Sequence, residues 1–157
     1  MSDEQQYFFG ESESSVDSAN RLTIPDFLRK SLGSRCIVTR GPDRALFIFS
    51  LNTWAEIESK IKNAIFNREI GLMQRLMGGR AEVQVDSQGR ITLPRHLQGY
   101  ANLGPSTAAS VIGQGSKVEV WNRDIWNEYS RENFGYEEIY PAAKLAGLED
   151  VVEPVAA

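Results

Sequence analysis

The sequence predicts an α+β fold, mainly β, assembled from two tandem repeats with flanking helices. Three observations carry this. Residues 17–25 read Asp-Ser-Ala-Asn-Arg-Leu-Thr-Ile-Pro and residues 86–94 read Asp-Ser-Gln-Gly-Arg-Ile-Thr-Leu-Pro, an offset of 69 residues. Asp, Ser, Arg, Thr and Pro recur at the same places, and aliphatic residues fill the same two slots (Leu22/Ile91 and Ile24/Leu93), which marks an internal duplication. Around each copy, short stretches of alternating polarity are bounded by turn residues, as expected of short half-buried strands. Finally, Phe49-x-x-x-x-Trp54 and Trp121-x-x-x-x-Trp126 lie 72 residues apart at the head of helix-periodic stretches, so the second copy carries about three extra loop residues.

The elements follow in order. Residues 1–6 are polar and are expected to be disordered. Residues 7–16 lead into the first motif as a strand. Asp17-Ser18-Ala19-Asn20 is turn chemistry: an Asp bonds its own backbone, and an Asn tolerates positive φ. Arg21-Leu22-Thr23-Ile24 is then a short strand with Leu22 and Ile24 on one face and Arg21 on the other, and Pro25 ends it and suits the start of a helix. Residues 26–33 form that helix, with Phe27, Leu28 and Leu32 as an apolar stripe and Gly33 as its stop. Residues 36–40 and 45–49 are two strands around a Gly41-Pro42-Asp43-Arg44 turn. Asn52 or Thr53 is expected to cap a longer helix bearing Trp54, Ile57, Ile61 and Ile65.

Residues 66–80 read as a helical, mostly buried connector ended by Gly78-Gly79. The second copy repeats the plan. A strand at 81–85 precedes the motif, in which Asp86 and Gly89 stand where Asp17 and Asn20 stand in the first. A short helix follows the motif, then a loop at 105–110, strands at 111–113 and 117–121, and a helix at 124–134. A further helix around 139–145 precedes a tail too short and acidic to fold alone. The organisation is therefore a first repeat with trailing helix (7–65), a linker (66–80), a second repeat (81–134) and a C-terminal helix with tail (135–157). Such short strands leave edges exposed and a thin core when alone, and interleaving the hairpins of the two repeats removes both problems.

Composition bounds the chemistry. Hydrophobic residues make up 41% of the chain, enough for packed cores. No apolar run is long enough to span a bilayer, and the opening residues carry no signal-peptide pattern. The lone Cys36 lies in a strand-like run and reads as a small buried hydrophobe, which fits a reducing cytoplasm. The net charge of −4 is unevenly spread: residues 17–44 hold six basic side chains against three acids, and residues 119–157 hold nine acids against three bases. Twelve of the 17 basic residues are Arg, the side chain suited to forked contacts with phosphate and guanine. That asymmetry argues for nucleic acid despite the total. No enzyme site is expected. His96 is the only histidine, and no thiol pair, glycine-rich phosphate loop or catalytic triad spacing occurs, so no cofactor, metal or small-molecule substrate is expected either.

The pattern Asp-x-x-x-Arg-aliphatic-x-aliphatic-Pro followed by a helix ending Leu-Gly resembles the SpoVT/AbrB DNA-binding domain. Two copies, with Trp54 and Trp126 after the second hairpins, a Phe8-Phe9-Gly10-Glu11 opening and Lys144-Leu145-Ala146-Gly147 near the end, resemble the MraZ family over about 140 residues. The resemblance implies a pseudo-symmetric swapped-hairpin barrel of the AbrB type, a closed homo-oligomeric ring, and a cytoplasmic, nucleoid-associated bacterial transcription regulator. The implied partner is double-stranded DNA, at repeated sites upstream of the division and cell-wall gene cluster.

Carried over by position, Arg21 matches the arginine that the family places on DNA, and Arg29 and Lys30 match a basic pair on the helix. Arg90 matches in the second copy, but Gln98 and Gly99 replace the helix pair, so the helix should be weaker there and the first copy should carry most DNA contact. Ala19-Asn20 departs from the usual Lys-Gly, and losing that Lys should weaken binding per subunit. Other readings stand beside these. Arg21 could form a structural salt bridge with Asp17, and Arg90 a buried ion pair with Asp86 or a contact with a neighbouring subunit. Arg29 and Lys30 could be a solvated helix face, whereas Trp54 and Trp126 read as packing. A protein-binding, antitoxin-like module of the same superfamily is the alternative function, suggested by the acidic tail.

Overall fold

The computed structural model describes residues 7–154; the expectation for residues 1–6 concerns residues outside that range. The chain divides into two units, one up to Arg123 and one from Asp124 onward.

The first unit holds β1 (Glu11–Val16), β2 (Arg21–Thr23), α1 (Asp26–Leu32), β3 (Arg35–Arg40), β4 (Leu46–Ser50), α2 (Leu51–Asn63) and α3 (Arg68–Met77), then β5 (Ala81–Gln84), β6 (Arg90–Thr92), α4 (Arg95–Ala101), β7 (Thr107–Gln114) and β8 (Lys117–Asn122). All strand pairs are antiparallel, in the order β5-β3-β4-β8-β7-β1-β2-β6. The two ends of that order meet at the turn between β5 and β6, where Asp86 N–H donates to Arg90 O at 2.9 Å. The result is a nearly closed eight-stranded barrel.

The duplication becomes a pseudo-two-fold axis. β2 pairs β6 with Leu22 opposite Ile91, and β4 pairs β8 with Phe47 opposite Glu119, so corresponding residues of the two repeats face each other at both places. Each repeat also lends its first strand to the other: β1 pairs β7, and β5 pairs β3. The exposed edges that either repeat would have alone are thereby consumed. Leu22, Ile24, Leu28, Ile48, Ile91, Leu93 and Leu97 are among the residues buried inside. Burying each such side chain stabilises by about 1.5–3 kcal/mol.

A second, smaller cluster lies outside the barrel. Ile37, Phe49, Trp54 and Met77 pack together, with Ile57 and Ile61 against them. Trp54 is therefore a packing residue, and its indole N–H donates to Glu58 Oε2 at 2.8 Å.

Several local expectations are corrected. The cap of α2 is Ser50, whose hydroxyl accepts the Thr53 N–H, because the helix starts directly from the end of β4. The stretch 105–110 is not all loop: β7 begins at Thr107. Its small residues look like a linker, but β1 pairs along it from Val16↔Thr107 to Glu11↔Ile112, and pairing overrides weak strand propensity. The connector helix α3 is not mostly buried; Leu72 and Met73 are exposed, while Met77 at its end packs against Ile37, Phe49 and Trp54. Phe27 leaves the stripe on α1 and is exposed, since Leu28 and Leu32 already fill the core side. Regular pairing of the first strand begins at Glu11, with Phe8 forming one isolated bridge to Gly115.

The second unit holds α5 (Arg123–Asn133) from its second residue onward, α6 (Tyr136–Ala146) and α7 (Glu149–Val152). Trp126 packs edge-on to Phe134 at 5.8 Å and stacks with Tyr129 at 6.1 Å. Gly147, at φ 70°, ends α6 in the left-handed region, and Leu148 N–H turns back to Ala143 O at 2.8 Å. The tail thus gains one helical turn, α7, on top of the expected helix.

Candidate nucleic-acid interface

Two turns of nearly identical build flank the β2–β6 pair. In the first, Asp17 Oδ1 accepts the backbone N–H of Ala19 and of Arg21, each at 2.9 Å. In the second, Asp86 Oδ1 accepts from Gln88 at 2.9 Å and Arg90 at 2.8 Å. The fourth residue of each turn is left-handed, Asn20 at φ 65° and Gly89 at φ 77°, which is why the sequence places Asn and Gly there. The arginine that follows is gripped by the same Asp: Arg21 Nε donates to Asp17 Oδ2 at 2.9 Å and Arg90 Nε to Asp86 Oδ2 at 3.0 Å. Both ion pairs are half-exposed, so Arg90 and Asp86 do pair, but near the surface and not in a buried site. Only Nε is engaged; the terminal Nη groups of Arg21 and Arg90 make no hydrogen bond to the described residues.

Antiparallel pairing sets each turn beside the other repeat. Leu93 N–H donates to Asn20 O at 2.9 Å, and Ile24 N–H donates to Gly89 O at 2.8 Å. The first turn therefore borders α4, and the second borders α1. Position 29 and its counterpart 98 use this contact differently. Arg29 Nε donates to Ile24 O at 2.7 Å and its Nη2 meets Asp26 Oδ1 at 2.6 Å, with the guanidinium against Gly89. Gln98 is buried and donates from Nε2 to Asn20 Oδ1 and to Leu103 O, both at 3.1 Å. Each helix thus braces the turn of the opposite repeat. The second helix is as long as the first despite Gly99, because Leu97, Gln98 and Ala101 bury its inner face.

Electrostatics follow the hydrogen bonds. Asp17 is held below the usual carboxylate range chiefly by the Arg21 backbone N–H, and Asp86 likewise by that of Arg90. Both stay ionised at neutral pH. Lys30 is exposed, with no ion pair among the described residues. Two cations lie beside the turns without having been singled out from sequence. Arg35 lines an open groove with Asp86 and Arg90, and Arg95 lines one with Asn20 and Gln98. The signal for Arg95 was available: the 69-residue offset aligns it with Asp26, a charge reversal between the copies.

Burial pushes the Cys36 thiol up to about 12, so it is protonated at neutral pH. His96 Nε2 lies 2.7 Å from Gly79 O. Among the described residues no group of three or more His, Cys, Asp and Glu side chains is placed to hold a metal ion. No helix among them is long and apolar enough to cross a membrane.

Comparison with known proteins fits this geometry. A family model described as "MraZ protein, putative antitoxin-like" matches twice in tandem, at residues 7–75 and 76–144. The chain belongs to the MraZ family. It is 39% identical over 127 residues to the transcriptional regulator MraZ of Desulforamulus reducens, covering 80% of this chain and 88% of that protein. It is 38% identical over 144 residues to the transcriptional regulator MraZ of Acetivibrio thermocellus, covering 90% of this chain and 99% of that one. The two family matches meet between Arg75 and Leu76, within α3, so the MraZ repeat includes most of the connector helix.

Proposed function

We propose that this MraZ-family chain is a sequence-specific DNA-binding transcriptional regulator. The observation that carries the reading is the pair of matched turns, each presenting an arginine whose Nε is fixed by its own Asp while its Nη groups stay free. A guanidinium held this way keeps the forked donor edge that pairs with guanine O6 and N7 in the major groove. Relatives named transcriptional regulators support the same reading. Arg90 lies opposite Thr23 and Arg21 opposite Thr92, so the two arginines stand two residue steps apart, on the order of 7 Å along the strands, close enough for both to enter one major groove about 12 Å wide.

Within this reading Arg21 and Arg90 are the base-contacting residues. Lys30, exposed on α1, contributes to phosphate contact, and Arg29 serves mainly to position the second turn. Asp17, Asn20, Asp86 and Gly89 set the turn shape. Assembly into a closed homo-oligomeric ring belongs to the same proposal, supported by the exposed apolar side chains Ile65, Phe66 and Leu72 on and before α3. Repeated turns on a ring match repeated sites on DNA, and avidity strengthens weak single contacts. The target, by resemblance, is repeated sequence upstream of the division and cell-wall genes.

The test is an equilibrium titration of the chain against duplex DNA from its own upstream region at two salt concentrations. Tight, salt-sensitive binding is the expected result; no binding at low salt contradicts it. The second reading, an antitoxin-like protein-binding module, is favoured by the family description and by the acidic segment after Asp124. A protein complex that depends on that segment, without DNA binding, would establish it instead.

A further inference from the structure

We propose that Arg95, from the second repeat, is a second DNA contact of the first turn and binds a backbone phosphate of the duplex. The inference rests on the DNA-binding reading and makes the first site a composite of both repeats.

The motif turn itself offers little charge. Residues 17–20 contain no cation, and Ala19 presents only a methyl group, so Arg21 is the sole positive side chain that the first turn supplies. Antiparallel pairing of β2 with β6 brings the start of α4 beside it. Asn20, Arg95, Gln98, Gly99 and Asn102 line one open groove of about 500 Å³. Arg95 is exposed and forms no ion pair or hydrogen bond with the described residues. Its counterpart in the first repeat is Asp26, tied to Arg29 at 2.6 Å. The position is therefore a neutralised pair beside the second turn and a free cation beside the first. Side chains added at Gly99 or Gly104 would meet nothing within 4 Å, so this flank stays open. Gln98 spends its amide donors on Asn20 and Leu103, which anchors the groove wall without competing for a ligand.

An exposed cation on an open flank, beside a turn that carries the forked arginine, suits the phosphate backbone better than a base edge. Phosphate contact adds affinity and salt dependence but no sequence preference. The two arginines should therefore separate by experiment.

The test measures affinity and salt dependence by fluorescence anisotropy, using a duplex of the chain's own upstream region and a scrambled duplex of equal length. Wild type, Arg95→Gln, Arg95→Lys and the surface control Lys60→Gln on α2 are compared, with thermal melts to confirm folding. Arg95→Gln is expected to weaken both duplexes by the same factor and to reduce the salt slope by about 0.9 for each Arg95 in contact. Arg95→Lys should retain the slope, since a point charge suffices for phosphate. The proposal is overturned if Arg95→Gln matches Lys60→Gln in affinity and slope, or if it changes the preference between the duplexes and leaves the slope intact. Failure of the wild type to bind either duplex overturns the DNA-binding reading itself, and this inference with it.

Discussion

Arg29 occupies the space that a side chain at Gly89 would need: a β-carbon there would lie 2.0 Å from Arg29 Cζ. The two residues belong to different repeats and lie 60 positions apart in sequence. At the matching place in the other half, Gln98 meets Asn20 by a hydrogen bond of 3.1 Å. Long helix residue with bare turn, and shorter helix residue with side-chain-bearing turn, are two solutions to one packing problem.

Gly89→Ala should therefore destabilise through two effects. The left-handed backbone costs a non-glycine residue about 1–2 kcal/mol, and the methyl group also displaces Arg29. In a double-mutant cycle measured by chemical denaturation, Arg29→Ala should recover the second part and leave the first. Strict additivity of the two substitutions would contradict the contact.

Gln98→Ala removes two hydrogen bonds from a buried side chain and leaves Leu103 O without that donor. A loss of about 1–3 kcal/mol is expected. Amide hydrogen exchange should rise at Ala19 and Arg21, since Asn20 loses its anchor. Unchanged protection in the first turn would show that Asn20 holds its shape unaided.

The turns also carry a pH dependence. Asp17 and Asp86 have folded-state pKa values below their ordinary values, so their contribution is present above the unfolded carboxylate value of about 4 and is lost as pH falls through the folded one. Thermal stability should therefore fall on acidification below about pH 4, and the paired variant Asp17→Asn/Asp86→Asn should show a shallower fall. If the slopes of wild type and variant coincide in that window, these carboxylates are not its source.

Ser50 links the barrel to the outer cluster by capping α2 at its first turn. Ser50→Ala should cost about 0.5–2 kcal/mol, and Ser50→Asp much less. Equal losses for the two substitutions would mean that steric fit at the end of β4, not capping, governs this position.

Much of this was readable in the chain. Asp17 and Asp86 announce turns because an Asp bonds the backbone two and four residues on, and Asn20 and Gly89 announce the left-handed position. The Leu22/Ile24 and Ile91/Leu93 alternation announces strands with one face inward. The need to pair exposed edges even suggests that hairpins interleave. The register was not readable: nothing in a nine-residue motif states that Leu22 faces Ile91. That register decides which helix meets which turn. Without it, Arg29 reads as a DNA contact or a solvated helix cation, with no sign that it bonds Ile24 and Asp26 while lying against Gly89. Gln98 reads as a missing cation although it is a buried brace, and Arg95 attracts no notice. The stretch 107–110 likewise reads as loop because its strand character comes from β1 and β8 on either side.

On the proposed function, Arg21 is expected to read sequence from a turn shaped by Asp17 and Asn20. The most direct test is the ratio of affinities for the chain's preferred duplex and a scrambled one, measured for wild type and Arg21→Ala at a single salt concentration. The expected ratio is well above one for the wild type and collapses toward one in a variant that melts normally, since the substitution removes the free Nη groups proposed to discriminate and spares the backbone hydrogen bonds of the turn. A folded Arg21→Ala protein that keeps the wild-type ratio would contradict that expectation.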